Sequence, residues 1–210
     1  MAERGFYHEG MVELQEAADG RRLAELLEER IRHDVLTDED KARIAAARFF
    51  FIATSYGDVP DCSFKGGEPG FVRVTGPSTL EFPDYDGNSM YRTLGNLARN
   101  PGVGLLFVTL DAAPERLRIN GQATLRRDAE SLARHRGAKT VVSVTCTHVF
   151  PNCSRYIPDL GAGRDSPFLP GEDGRAPVPE WKTFPFITPA LPADDAHRAE
   201  ILASRPAAPD

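Results

Sequence analysis

Cysteine is scarce in this sequence, basic residues are outnumbered, and long apolar runs are missing. Twenty-five Lys and Arg face 31 Asp and Glu, for a net charge of -6. No segment concentrates the cations enough to gather a polyphosphate backbone, so no nucleic-acid partner is expected. Three cysteines, Cys62, Cys146 and Cys153, cannot all pair with one another and are too few for a disulfide scaffold, so they read as reduced thiols. No apolar stretch approaches the roughly 20 residues that cross a bilayer. The opening MAERGFYHEG also lacks the apolar core of a signal peptide, so a cytoplasmic address without membrane contact is expected. Internal repeats and coiled-coil heptads are absent too.

What is present is the composition of a turn-rich globular protein: 41% hydrophobic and 27% charged residues, with 18 Gly and 17 Pro among 210. That length suits one compact domain with appendages. From Met11 to His33 apolar residues recur at helical spacing, interrupted at Asp19-Gly20, and Thr37 before acidic residues predicts the N-cap of a further helix ending near Ala47. RFFFIATS then reads as a buried strand, too short for a helix. Further strands are predicted over Pro60 to Phe64, Gly70 to Thr75, Ser78 to Phe82, Val103 to Leu110, Arg116 to Arg126 and Lys139 to Phe150, with a bulge or bend at Gly121. One helix interrupts the series, capped near Asn88 and stopped by Asn100-Pro101-Gly102. So few crossovers exclude a doubly wound parallel sheet and favour a closed, mainly antiparallel sheet. The expected organisation is a helical segment over 1-47 packed on a barrel over 48-157, an irregular extension over 158-188, and a mobile tail over 189-210 with little to bury.

Three stretches carry the densest information: PDCSFKGGEPGFVRV, EFPDYDGNSMYRTLGNLARNPGVGLLF and RLRINGQATL. Their order and spacing resemble the FMN-binding split-barrel proteins related to pyridoxamine 5'-phosphate oxidase, in particular a subgroup with S-x-K/R-G, a P-G-F-V strand, F-P-D-x-x-G-N, a helix ending in N-P, and G-L-L-F. The resemblance is good over about Arg48 to Arg126 and looser in the N-terminal helices, FPNCSRYI and PEWK. It implies an antiparallel Greek-key split barrel, bound FMN, a homodimer with sites at the subunit interface, and hydride transfer to a small substrate, with NADH or NADPH as possible reductants. Vitamin B6 oxidation itself is not implied. The family's oxidase has a Ser-Arg-Lys run where this chain has Asn88-Ser89-Met90-Tyr91-Arg92, and its C-terminal basic motif has no counterpart.

The residues of these motifs suit a flavin phosphate, which needs positive charge together with hydroxyl or amide donors. Lys65, beside Ser63 and before Gly66-Gly67, supplies one cation where glycines allow close backbone approach. Arg92 supplies another in the first turn of the helix, with Asn96 beside it at i, i+4. Met90, Leu94 and Leu97 form the opposite, buried face. Asp84, Gly87 and Asn88 either form a tight turn with a helix cap or, by the resemblance, edge the flavin. Arg155 and the single tryptophan, Trp181, either anchor a loop or, again by the resemblance, approach the partner's flavin. A non-catalytic flavin-binding module is the alternative function. A zinc site from Cys146, His148 and Cys153 is a weaker one, because the spacing is poor and Cys146 and His148 would share a strand face with Val142 and Val144. A Cys153-His148 nucleophile lacks an orienting acid. No metal is expected.

Overall fold

The computed structural model describes residues 5-167 and 176-204, and the chain divides into two compact units, one of them His33–Ser154. Seven strands build this unit: β1 (Phe49–Tyr56), β2 (Val59–Gly66), β3 (Arg73–Gly76), β4 (Thr79–Asp84), β5 (Gly102–Val108), β6 (Arg116–Arg126) and β7 (Thr140–Pro151). All seven expected strands are present. They form one antiparallel sheet in the order β2-β1-β5-β6-β7-β4-β3. Contrary to the expected closed sheet, β2 and β3 remain edges with no ladder between them. The sheet curls enough for β1 and β4, far apart in that order, to meet in the core: Phe50 packs on Phe82 at 4.9 Å, on Phe107 at 5.0 Å and on Phe71 at 5.9 Å. Such aromatic contacts add to the burial of the rings themselves.

Strict alternation sorts the strands. On β6, Leu117, Ile119, Gly121 and Ala123 are buried while Arg118, Asn120, Gln122 and Thr124 are exposed. Gly121 marks the expected bulge. Register shifts between Asn120 and Gly121, which pair with His148 and Cys146, leaving Thr147 of β7 as the additional residue. A Cβ at Gly121 would lie 2.4 Å from the Thr145 carbonyl oxygen, so only glycine fits there. The bulge also overturns the shared face expected for Cys146 and His148. Below it Cys146 is core, above it Val149 turns inward at 0% exposure, and His148 is displaced from the core face.

Helix α3 (Asp38–Ala46) belongs to this unit and begins in the expected way. Thr37 Oγ1 accepts from the Asp40 amide at 3.2 Å, and Asp40 Oδ2 accepts from the Thr37 amide at 2.9 Å, a reciprocal capping box. Helix α4 (Arg92–Leu97), in the β4 to β5 connection, is shorter than the sequence suggests. Asn88 is not its cap: Tyr91 is, and Ser89 and Tyr91 occupy the left-handed region at φ 62° and 49°, which breaks helical continuation. Asn88 Oδ1 instead accepts from the Met90 amide at 3.1 Å, and Met90 is exposed rather than packed with the buried Leu94 and Leu97. A short helix α5 (Ala129–Ala133), not expected from the sequence, is capped by Asp128 and joins β6 to β7.

The second unit comprises the chain up to Arg32 and from Arg155 onward. Asp19, at φ 48°, separates α1 (Glu9–Ala17) from α2 (Arg21–Ile31), so the segment is two helices where an interrupted one was read. Leu23, Leu26 and Leu27 of α2 pack with Val178, Trp181, Ile187, Leu191 and Ile201. The expectation of little to bury after residue 189 does not hold through 204: Leu191 is fully buried, and α6 (Arg198–Ala203) places Ile201 in the same cluster. Residues 205-210 of that expected tail lie outside the described residues.

Candidate functional site

Alternation on β2 sends Asp61, Ser63 and Lys65 to one face and Cys62 and Phe64 to the other, because successive strand side chains point oppositely. The first set faces the same way as Phe50, Ile52 and Thr54 of β1, with which it pairs in register. Helix α4 packs over that surface and is fastened to it by three side chains. Arg92 Nε donates to Asp61 Oδ1 at 2.7 Å, Thr93 Oγ1 donates to Ser63 Oγ at 2.9 Å, and Asn96 Nδ2 donates to Thr54 Oγ1 at 3.1 Å. Ser63 Oγ in turn donates to Asp61 Oδ2 at 2.9 Å. The Arg92 hydrogen bond, with help from Ser63, holds the Asp61 carboxyl below the usual carboxylate range.

Beside this network lies a cleft of about 600 Å³. Ser63 and Lys65 line one side, the segment from Asp84 to Arg92 another, and Arg127, Lys139 and Thr140 a third. Lys65 Nζ meets Asp84 Oδ1 at 3.1 Å, linking β2 to β4 across the opening of the sheet. Lys139 pairs with Asp86, which lowers the Asp86 pKa and raises that of Lys139. Four cations thus face two lining carboxylates, with Asp61 behind Arg92. Large exposed side chains border the same space: Phe64, Tyr85, Met90 and Tyr91. Cations beside aromatic and thioether groups suit a ligand with an anionic end and a flat apolar body.

The structure brings together six of the nine residues expected at the site: Ser63, Lys65, Asp84, Gly87, Asn88 and Arg92. Asn96 is not among the lining residues and serves to hold α4 to β1. Arg155 and Trp181 belong to the other compact unit. There the Arg155 guanidinium lies over the Tyr156 ring at 5.4 Å, and Trp181 packs with the α2 cluster. Sequence reading missed Asp61, Thr93, Arg127 and Lys139. The alternation of Asp61-Ser63-Lys65 within one strand was a usable signal for the first. Arg127 and Lys139 are 12 residues apart and reach the same cleft because β6 and β7 pair.

Cys146 lies in the core, and burial pushes its thiol up to about 11. Among the described residues no three His, Cys, Asp or Glu side chains gather as a metal-binding group, which leaves the zinc alternative without a site there.

The pyridoxamine 5'-phosphate oxidase family model matches residues 36-153, more than half of the chain. The chain belongs to that family. The matched range nearly coincides with the unit that holds the sheet and cleft. No curated protein matches the chain. Among solved structures it is similar to an FMN-binding protein from Syntrophomonas wolfei, at 12% identity and TM-score 0.45 over 67% of this chain and 97% of that one. It is also similar to the FAD binding protein from Mycobacterium smegmatis, at 17% identity and TM-score 0.42 over 57% and 97%. A third is HupZ from Group A Streptococcus, at 18% identity and TM-score 0.43 over 55% and 92%. Among the described residues no helix is long and apolar enough to cross a membrane.

Proposed function

We propose that the chain is a flavoprotein that takes FMN in the cleft between β2, the Asp84 to Arg92 segment and the β6 to β7 ends, and acts as a homodimeric oxidoreductase on a small organic substrate. The observation that carries this reading is the cleft's composition, four cations with an aromatic and thioether border. The residues fit the cofactor's phosphate end: Lys65 and Arg92 line the cleft together with the Ser63 and Thr93 hydroxyls, and charged donors bind phosphate best when neutral donors complete the shell. Membership of the pyridoxamine 5'-phosphate oxidase family supports a flavin. When bound, a flavin supplies hydride transfer, while the protein positions and tunes it. Here Lys65 and Arg92 would fix the phosphate, Gly87 would leave room beside it, and Tyr85, Met90 and Tyr91 would shield the ring from water.

A second reading, a flavin carrier or sensor without turnover, draws on one observation. No histidine or cysteine lines the cleft among the described residues, and both its carboxylates, Asp84 and Asp86, are committed to lysines. That leaves no imidazole, thiol or unpaired carboxylate to pass a proton, only the Tyr85 and Tyr91 phenols and the paired lysines, although hydride transfer need not have such a group. The absorption spectrum of purified protein tests the common claim. Flavin bands are expected, with FMN identified by mass spectrometry after heat release. A colourless preparation that takes up no flavin on titration would overturn it. Bleaching of the bands by NADH or NADPH, with reoxidation by an added acceptor, would then favour the enzyme over the carrier.

A further inference from the structure

Of the two cleft cations without a role at the proposed phosphate, Lys139 is held by Asp86, which leaves Arg127. It follows the last residue of β6, and its Nε donates at 3.1 Å to Oγ1 of Thr140, a residue only 2% exposed on β7. Thr140 pairs with Asp84 of β4, so the three-strand ladder β6-β7-β4 carries Arg127 to the edge of the cleft. The other three cations already have carboxylates: Lys65 has Asp84, Arg92 has Asp61 and Lys139 has Asp86. Arg127 makes no ion pair among the described residues. An anion approaching any of the first three must compete with a fixed carboxylate, whereas at Arg127 it displaces only water. With Nε held by Thr140, the guanidinium is partly pre-oriented, and its remaining donors form a fork that matches two oxygens of one anion.

We propose that Arg127, oriented by Thr140, is the cleft's standing anion-docking residue and binds a phosphate-type oxyanion of the ligand. This rests on the cleft being the ligand site. The anion is either the phosphate of a flavin nucleotide or an anionic group on a second ligand that enters beside the flavin.

Arg127→Gln and Arg127→Lys, compared with the wild type by titration calorimetry, decide the matter. Arg118→Gln, an exposed β6 arginine that does not line the cleft, controls for loss of one charge. Arg127 is itself exposed, so the variants are expected to keep the wild-type thermal midpoint. If the flavin phosphate is the partner, Arg127→Gln weakens FMN binding by about tenfold or more and leaves riboflavin unchanged, with Arg127→Lys between. If a second ligand is the partner, FMN and riboflavin affinities hold, while inorganic phosphate binds the riboflavin-loaded wild type and fails to bind the Arg127→Gln variant. Unchanged binding of FMN, riboflavin and phosphate in Arg127→Gln, or an equal loss in Arg118→Gln, overturns the proposal. Should the wild type take up no flavin, the proposed function falls by itself, and inorganic phosphate titrated into wild type and Arg127→Gln still tests the docking residue.

Discussion

Lys65 and Arg92 each stand between two partners, a fixed carboxylate and the expected phosphate. Each was selected as a positive charge for a phosphate, and each lines the cleft, yet each also holds a carboxylate. The competing roles separate by ligand. Lys65→Ala and Arg92→Ala are expected to weaken FMN by on the order of 1.5 to 3 kcal/mol each, the range for a hydrogen bond to a charged group. Riboflavin, lacking the phosphate, should lose far less. Equal losses for both ligands in calorimetry would assign the cations to fold support, and the two losses need not add, since both would meet one dianion. Thermal unfolding of the same variants reads the other role. Arg92 is half exposed, so its pair with Asp61 is screened and its loss should cost little stability. At this scale the legible residues were those inside one local motif. Asp61 was missed although it shares that motif, because an acidic residue looks wrong for an anion site until it is seen holding Arg92. Arg127 and Lys139 could not be read, since neither carries a local signal and only strand pairing joins them.

Among the elements, strands were easier to read than helices because a period of two survives in short segments, while a six-residue helix such as α4 has too few turns to show its period. The Asn88 cap failed on backbone conformation at Ser89 and Tyr91, which the sequence of neither residue announces. The glycine at the β6 bulge succeeded because its requirement is steric and local. The short α5 carries a device that sequence did not show. Glu81 of β4 lies 3% exposed and receives Arg134 Nε at 2.7 Å and His135 Nε2 at 3.1 Å from the end of that helix. Arg134 holds the Glu81 carboxyl below its usual value, and burial holds His135 below its own. In both cases the unfolded chain binds the proton at higher pH than the folded chain, so acid favours unfolding. Stability should therefore decline as pH falls below about 6.5 through His135, and further below 4.5 through Glu81. Thermal midpoints by circular dichroism from pH 8 to 4 check this. Glu81→Gln should be less stable at pH 7 by on the order of 2 kcal/mol, because Arg134 loses its buried partner but stays one-third exposed. Its further loss below pH 4.5 should be shallower than the wild type's, and parallel curves would remove Glu81 from the account.

At the scale of the whole molecule, two chains are expected to make one site. The sheet face away from the core carries Phe49, Phe51 and Phe64, with Leu106 in register beside Phe51. Phe49 and Phe64 stack at 5.4 Å, and Phe64 meets Phe51 edge to face at 6.0 Å, yet Phe64 remains 61% exposed. A cluster of rings turned to solvent on a regular sheet is the kind of surface that marks protein association. A second copy of the chain is the simplest occupant, since two-fold contacts join identical patches. Phe64 also borders the cleft, so burying it between two copies would complete the cleft's border at the same time. Phe64→Glu places a charge at the centre of that patch while removing no core contact. Light scattering should give two chains for the wild type and one for the variant, with the circular dichroism spectrum and thermal midpoint of the dilute protein little changed. FMN affinity should fall with the dimer, because a ligand loses enclosure when one wall departs. A wild type that scatters as one chain while holding flavin tightly would refute the homodimer and show that a single copy encloses its ligand.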